Sequence, residues 1–255
     1  LFTVPLETNA EIHRVRLTNT GDSAKTFSFF SFVEFNLWNA HDDSTNYQRN
    51  MSLAEVEVEG SAIYHKTEYR ERRNHYAVYG VNVEPTAFDT DRDSFFGLRG
   101  EWSAPDAVVA GSATNSIASG WAPVGAFQVD IDLAAGESRD LVFVLGYEEN
   151  DEDDKWESPN IINKAGGRAL LERFATSEAV DAALDELAAY WDGLLSTMTL
   201  SSDDERLDRT INIWNQYQCM VTFNMSRSAS FALRECTLFV PFGLFRHSLV
   251  GRKHP

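Results

Sequence analysis

A run of polar side chains at residues 39–50, NAHDDSTNYQRN, follows an apolar stretch that predicts a buried strand. Its adjacent carboxylates are Asp42 and Asp43, and its amides and guanidinium include those of Asn39, Asn46, Gln48 and Arg49. Two carboxylates can cleave a glycosidic bond, but neighbours on a strand point to opposite faces, so this pair is poorly placed to flank one bond. The amides and the guanidinium fit either a polyhydroxylated ligand or the backbone of a long loop, and composition leaves both interpretations open.

Two other segments carry basic side chains that could bind anions. Residues 65–76, HKTEYRERRNHY, hold four bases, two acids, two histidines and two tyrosines. Planar Arg forks in such a cluster bind phosphate or sugar hydroxyls, and the alternative is an exposed pair of strands linked by salt bridges. Arg227 lies within SRSAS, residues 226–230, where hydroxyls and loop amides could hold an anion. The alternative there is an ordinary polar loop after a helix.

The sequence shows no motif for a bound cofactor. His65 and His75 lack zinc-ligand spacing, and Cys219 and Cys236 form no CxxC pair. The acidic segment 148–160 lacks the spacing and the glycine of an EF-hand. A Walker-type glycine loop, a GxGxxG motif and a GxSxG motif are all missing. We therefore expect no metal and no organic cofactor.

Charge and composition exclude several classes of partner. The chain of 255 residues carries a net charge of −17, which repels nucleic acid and anionic membranes. It contains no apolar stretch of the roughly 20 residues that a membrane helix needs, and no signal peptide at its start. With only two cysteines we expect a reducing, cytoplasmic location. The chain begins without Met in strand-like sequence, so we expect the true start to lie upstream.

The elements that position these residues follow from two hydrophobic periods. From residue 1 to about 147 apolar residues alternate with polar or smaller ones, which predicts half-buried strands. The series are Ala54, Val56 and Val58, then Ala77, Tyr79, Val81 and Val83, and then Phe127, Val129, Ile131 and Leu133. This period predicts an antiparallel β-sandwich, in which LVFVLG is a strand buried on both faces. Segment 148–160 shows neither period and is interpreted as a solvated connector.

Helical spacing follows the connector. The first apolar series is Val180, Leu184, Leu187, Trp191 and Leu194, and the second is Leu207, Ile211, Trp214, Gln218 and Val221. Thr176 or Ser177 could cap the first helix, and Ser202 with Glu205 has capping-box spacing for the second. The predicted fold is therefore mainly β with C-terminal helices.

Three long segments resemble the cellobiose phosphorylases of glycoside hydrolase family 94. They are FSFVEFNLWNAHDDSTNYQRN, AIYHKTEYRERRNHYAVY and NIWNQYQCMVTFNMSRSAS, and the shorter DTDRDSFFG and ASGWAPVG are also similar to that family. The resemblance runs from residue 1 to about 230. It implies a cytoplasmic, homodimeric enzyme that splits cellobiose with inorganic phosphate, giving α-glucose 1-phosphate and glucose with inversion. It also implies a β-sandwich of the supersandwich type, linker helices and an (α/α)6 barrel.

The resemblance assigns roles to four residues. Arg227 in SRSAS would contact phosphate, and Arg49 in YQRN would contact the acceptor sugar. Asn39 and Asn46 would lie in the same loop wall. A barrel Asp would protonate the glycosidic oxygen while phosphate attacks the anomeric carbon. Family members continue after SRSAS with a glycine-rich stretch, whereas this chain continues with FALRECTLFVPFGLF, so we expect neither that stretch nor the general acid here.

Four regions are predicted along the chain. They are a β-sandwich domain at 1–150, incomplete at its N-terminus, an acidic connector and helical linker at 151–200, the first helix of a truncated barrel at 201–231, and a tail at 232–255. The tail is basic in an acidic chain and is best explained by a frameshift or a truncated gene. The main hypothesis is an inactive part of a cellobiose phosphorylase that binds cellobiose or a related β-glucoside and phosphate. The alternatives are a noncatalytic carbohydrate-binding sandwich and a cellodextrin or chitobiose phosphorylase.

Overall fold

The computed structural model describes residues 1–35, 54–67, 74–98, 100–120 and 123–225. The chain divides into two compact units, Leu1–Leu184 and Asp185–Pro255. The first unit contains all the β-structure of the described residues, and the second is helical. The predicted regional boundaries at 150, 200 and 231 stay predictions.

A seven-stranded antiparallel sheet forms the centre of the described part of the first unit, in the order β1-β2-β10-β6-β5-β4-β8. Its strands are β1 (Phe2–Thr3), β2 (Ala10–Thr18), β4 (Ala54–Glu59), β5 (Ala62–Thr67), β6 (His75–Val81), β8 (Ser119–Gly120) and β10 (Ser138–Glu149). The four residues Leu141–Val144 of β10 are all buried, which confirms a strand covered on both faces. β6 is buried along its whole length, so the prediction that it is half-buried is wrong.

A second antiparallel sheet packs on one face of the first. Its described strands are β3 (Lys25–Glu34), β7 (Ala87–Asp91) and β9 (Pro123–Leu133), in the order β3-β9-β7. Side chains from both sheets form one core, which includes Ile63, Tyr79, Phe127, Ile131 and Phe143. The alternation predicted for Phe127–Leu133 is what places one face of β9 in this core. The predicted antiparallel sandwich is confirmed.

Helices cover the other face of the seven-stranded sheet. Helix α3 (Ala165–Arg173) and the start of helix α4 (Ser177–Leu195) bury Leu170, Phe174 and Val180 against that face. The close approach depends on glycine, because a Cβ at Gly146 of β10 would lie 2.3 Å from Cδ2 of Leu170. This helical cover is the reason that β6 has no solvent-exposed face.

Two short helices lie between β7 and β8, namely α1 (Arg92–Phe96) and α2 (Asp106–Ala110). They pack on the outer face of the three-stranded sheet through Phe95, Phe96 and Ala107. The loop that returns from α2 is held by the fully buried carboxylate of Asp89, which accepts hydrogen bonds from two backbone amides and two hydroxyls of residues 114 and 116. These four donors satisfy a charge that would otherwise be costly to bury.

The acidic connector is more regular than its sequence predicts. A 3-10 helix spans Glu152–Asp154, and β11 (Trp156–Ser158) pairs with β12 (Ile161–Ile162). Residues 151–154 are exposed, as a solvated connector requires, but Ile162 and Lys164 are buried. The connector therefore contains regular structure although its sequence shows neither period.

The second unit is described through residue 225. It contains the end of α4, helix α5 (Glu205–Arg209), a π-helical segment (Thr210–Asn215) and helix α6 (Gln216–Met225). Both predicted helices are confirmed, and Thr176 caps α4 by accepting the Ala179 amide at 3.2 Å. The predicted cap Ser202 is wrong, because Asp204 accepts the amides of Arg206 and Leu207.

The apolar side chains of residues 185–222 in the second unit are half-buried or exposed. None of residues 185–222 is buried, and Tyr190, Leu207, Ile213, Trp214 and Tyr217 are among the exposed ones. In the described part of the chain no helix is long and apolar enough to cross a membrane.

Candidate functional site

The four residues predicted to bind substrate all lie outside the described residues. Asn39, Asn46 and Arg49 belong to segment 36–53, and Arg227 follows the last described residue of helix α6. Their roles stay predictions. The described residues that flank segment 36–53 nevertheless fix where it begins and ends.

Strand pairing brings the borders of three segments to one end of the sandwich. Ala54, which follows segment 36–53, pairs with Thr67 and with Gly120. Thr67 precedes segment 68–73 and Gly120 precedes residues 121–122. Phe35, the last described residue before segment 36–53, stacks on His65 with ring centroids 4.8 Å apart. We call Phe35, Ala54, His65, Thr67 and Gly120 the loop end of the sandwich.

The loop end gathers motifs that are far apart in the sequence. Segments 36–53 and 68–73 both have a border there, although β4 and β5 separate them along the chain. Glu34 at the end of β3 accepts a hydrogen bond from Arg92 of α1 at 3.2 Å, which brings the DTDRDSFFG motif to the same end. Arg92 also lies over the Phe96 ring, 4.9 Å from its centroid.

His65 is a buried residue of the sandwich interior and not a surface base. It is 4% exposed, and burial lowers its pKa to about 4. The imidazole is therefore neutral at physiological pH. Nδ1 of His65 has no hydrogen-bond partner within the described ranges. A neutral ring stacked on Phe35 provides no charge for an anion.

Lys66 is buried in an ion-pair network. Its side chain is 3% exposed, and Nζ lies 2.9 Å from Glu57 and 3.1 Å from Glu55. Nζ also donates to the carbonyl of Asn160 and lies 5.4 Å from the centroid of the Trp156 ring. Burial lowers the pKa of Lys66, but its hydrogen bonds to Glu57 and Glu55 outweigh this and raise it overall.

The same network continues into the connector and helix α3. Lys164, 4% exposed, places Nζ 2.6 Å from Glu57. Arg168 donates to Glu59 at 2.8 Å and to Glu157 at 2.6 Å. Partial burial raises the pKa of Glu57, but hydrogen bonds from Lys164 and Lys66 lower it by more. The net pKa is below its usual value, so the carboxylate stays charged.

This network decides between the two interpretations of segment 65–76 for its described residues. Lys66 is held in salt bridges and is not available to bind a ligand, which favours the structural interpretation. The part of that interpretation that makes the strand pair exposed is wrong for its described residues, because His65, Lys66, His75 and Tyr76 are all buried. Sequence reasoning missed Glu57 and Lys164, since no local spacing relates residues so far apart in the chain.

No cluster of three or more His, Cys, Asp or Glu residues that could hold a metal ion occurs in the described ranges. Cys219 is exposed and forms no disulfide with a described residue. The described part of the chain places the borders of segments 36–53 and 68–73 at one end of the seven-stranded sheet.

Family models match most of the chain. The model described as "Glycosyl hydrolase 94, supersandwich domain" matches residues 1–168, and "Glycosyl hydrolase 94 superfamily, catalytic domain" matches residues 190–236. The first match covers the two sheets and reaches into helix α3. The second begins within helix α4 and covers the helices of the second unit.

Individual relatives are glycoside phosphorylases by name. The chain is similar to N,N'-diacetylchitobiose phosphorylases of Vibrio proteolyticus and Vibrio furnissii, with 29% identity over 229 residues and 26% over 230. It is also 27% identical over 233 residues to a 3-O-beta-D-glucopyranosyl-beta-D-glucuronide phosphorylase of Paenibacillus borealis. Each alignment covers 89% of this chain, and the chain spans 27–28% of the length of these relatives.

Proposed function

The chain belongs to the glycosyl hydrolase 94 family, and we propose that it forms part of an inverting phosphorylase that transfers a glycosyl group from a β-linked disaccharide to inorganic phosphate. The observation that carries this proposal is the loop end, where strand pairing joins the borders of segments 36–53 and 68–73. The match of residues 190–236 to the catalytic-domain model supports it.

The proposed chemistry needs two kinds of contact from this chain. Arg227 would hold phosphate so that an oxygen attacks the anomeric carbon opposite to the leaving sugar, and Arg49 would orient the leaving sugar, with Asn39 and Asn46 in the same wall. Guanidinium groups suit both tasks, since they offer planar pairs of donors and stay charged. A carboxylic acid of the catalytic barrel would donate the proton to the leaving oxygen.

The proposed substrate is cellobiose, because the motifs around residues 30–50, 62–79 and 212–230 resemble cellobiose phosphorylases. N,N'-diacetylchitobiose is the second candidate, since two of the relatives carry that substrate in their names. Phosphate is the co-substrate, a homodimer in the cytoplasm is the proposed state, and no cofactor is proposed. Because the acid belongs to the barrel, we expect the purified chain alone to release no glycosyl phosphate.

A chimera tests the function and the sugar specificity together. Residues 1–230 of this chain would replace the matched region of the Vibrio proteolyticus relative. The reverse reaction from N-acetylglucosamine 1-phosphate would then be run with either glucose or N-acetylglucosamine as acceptor. A preference for glucose supports a cellobiose-type acceptor site, and a preference for N-acetylglucosamine supports the chitobiose alternative. A folded chimera that transfers to neither acceptor contradicts the proposed function.

Two substitutions in that chimera separate the proposed contacts. In the reverse reaction Arg49→Ala should raise the KM for the acceptor about tenfold or more. In phosphorolysis Arg227→Ala should do the same for phosphate, because each substitution removes a guanidinium that donates hydrogen bonds to the ligand. Arg139→Ala, at an exposed position of β10, is the matched control and should change neither constant. Equal effects of all three substitutions would contradict the assigned roles.

A further inference from the structure

The outer face of the three-stranded sheet carries a second combination of aromatic and polar groups. Trp102, in the turn between α1 and α2, is 67% exposed. Its ring meets Phe32 at a centroid distance of 5.4 Å and Phe96 at 4.8 Å, both edge to face. These contacts hold the exposed indole in place, so little side-chain entropy remains to be lost when a ligand binds.

Along β3 from Phe32 the face changes from aromatic to polar. Phe30 lies on the same face, followed by Ser28 and then Thr26, and alternate residues are roughly 7 Å apart. Opposite them on β9, Ser28 donates to Asp130 at 2.6 Å. Thr26 donates to Asp132 at 2.5 Å. The face thus combines aromatic rings with a row of hydroxyls and carboxylates.

The carboxylates of this row, Asp130 and Asp132, are exposed to solvent. Asp130 is exposed, and its Oδ1 accepts hydrogen bonds from Ser28 and from Gln128 at 2.9 Å. Thr86 also forms a side-chain hydrogen bond with Asp130. The hydrogen bond from Ser28 and that from Gln128 lower the pKa of Asp130, so it accepts hydrogen bonds as a carboxylate.

We propose that Trp102, Phe32, Phe30, Ser28 and Asp130 form a binding surface for a neutral β-linked oligosaccharide. The apolar face of a pyranose ring would stack on the exposed indole, and hydroxyls of the next sugars would donate to Asp130. The charge of this surface disfavours a polyanion, because Asp130 and Asp132 are exposed carboxylates. Arg92, the nearby base, is already paired with Glu34. This inference goes beyond the proposed transfer reaction and does not depend on it.

Native gel electrophoresis of the purified 255-residue chain in gels with and without hydroxyethyl cellulose tests this surface. We expect the polymer to retard the wild-type chain. Trp102→Ala should weaken the apparent affinity about tenfold or more, as expected for an anchoring aromatic residue, and Trp102→Phe should restore part of it. Trp214→Ala removes a tryptophan that is 53% exposed in the second unit, and this matched control should be retarded like the wild type.

Two further measurements keep the test decisive. If circular dichroism shows that Trp102→Ala is unfolded, Asp130→Ala at an exposed position carries the test and should also reduce retardation. Absence of retardation for the wild type, or equal losses in Trp102→Ala and Trp214→Ala, overturns the proposal. Sedimentation equilibrium tests whether a second copy of the chain occupies this face instead. If Trp102→Ala converts a dimer into a monomer, a second copy covers the surface and the proposal is wrong.

Discussion

Replacement of Lys66 by methionine tests whether the buried ion-pair network holds the connector on the sheet. Lys66→Met keeps the length of the side chain and removes its charge. Four interactions are lost, namely those with Glu57 at 2.9 Å, with Glu55 at 3.1 Å, with the carbonyl of Asn160 and with the Trp156 ring. The remaining atoms stay packed, so the charge is the main quantity that changes.

The cost follows from what each partner keeps. Glu55 is 53% exposed, so its pair contributes little. Glu57 is 18% exposed and keeps Lys164 at 2.6 Å, so its charge is not left unpaired. Breaking a fully buried pair costs about 3–5 kcal/mol, and the retained partner places the expected loss for Lys66→Met at about 2–4 kcal/mol.

Equilibrium urea unfolding followed by far-ultraviolet circular dichroism measures this loss. Lys25→Met is the matched control, because Lys25 is exposed on β3, and its effect should stay within about 0.5 kcal/mol. A double-mutant cycle with Glu57→Gln should give a coupling free energy of about 1–3 kcal/mol. A Lys66→Met variant as stable as Lys25→Met, with no coupling to Glu57, would refute the role given to the network.

The structure also makes three other predictions. Ion pairing with Arg16 lowers the pKa of Asp140 from 3.8 to about 2. The contribution of this carboxylate to stability is therefore complete above pH 4 and is lost as pH falls towards 2. Asp140→Asn should reduce the slope of Tm against pH in that range. Gly146→Val should cost about 1–3 kcal/mol in urea unfolding, because even a Cβ lies 2.3 Å from Leu170, and an unchanged midpoint would contradict the close approach. Asp89→Ala leaves two amides and two hydroxyls without their acceptor and should cost at least about 2 kcal/mol by the same assay, while wild-type stability would contradict this assignment.

The strands and long helices could be predicted because their signal is local. Alternation in Phe127–Leu133 shows which side chains enter the core, and the helical series from Val180 to Leu194 predicts α4. β6 shows the limit of this reasoning. Its alternating sequence predicts one solvent-exposed face, whereas α3 covers that face in the folded chain.

The candidate site was only partly accessible to sequence reasoning. The polar composition of residues 39–50 and the resemblance to known enzymes led to Arg49 and Arg227. Composition alone treated residues 65–76 as one basic cluster. Folding separates its described members, because His65 faces the sandwich core and Lys66 faces the connector.

By itself the sequence determined the class of fold, the two helices of the C-terminal part and the family, since periodicity and long motifs are read along the chain. Only the tertiary structure decided which distant residues meet. The borders of segments 36–53 and 68–73 lie at the same end of the sheet because β4 pairs with both β5 and β8. Glu57 and Lys164 form an ion pair because folding brings residues that are far apart in the sequence together in a buried site. The free energy of that ion pair depends on the exclusion of water, which no local sequence pattern encodes.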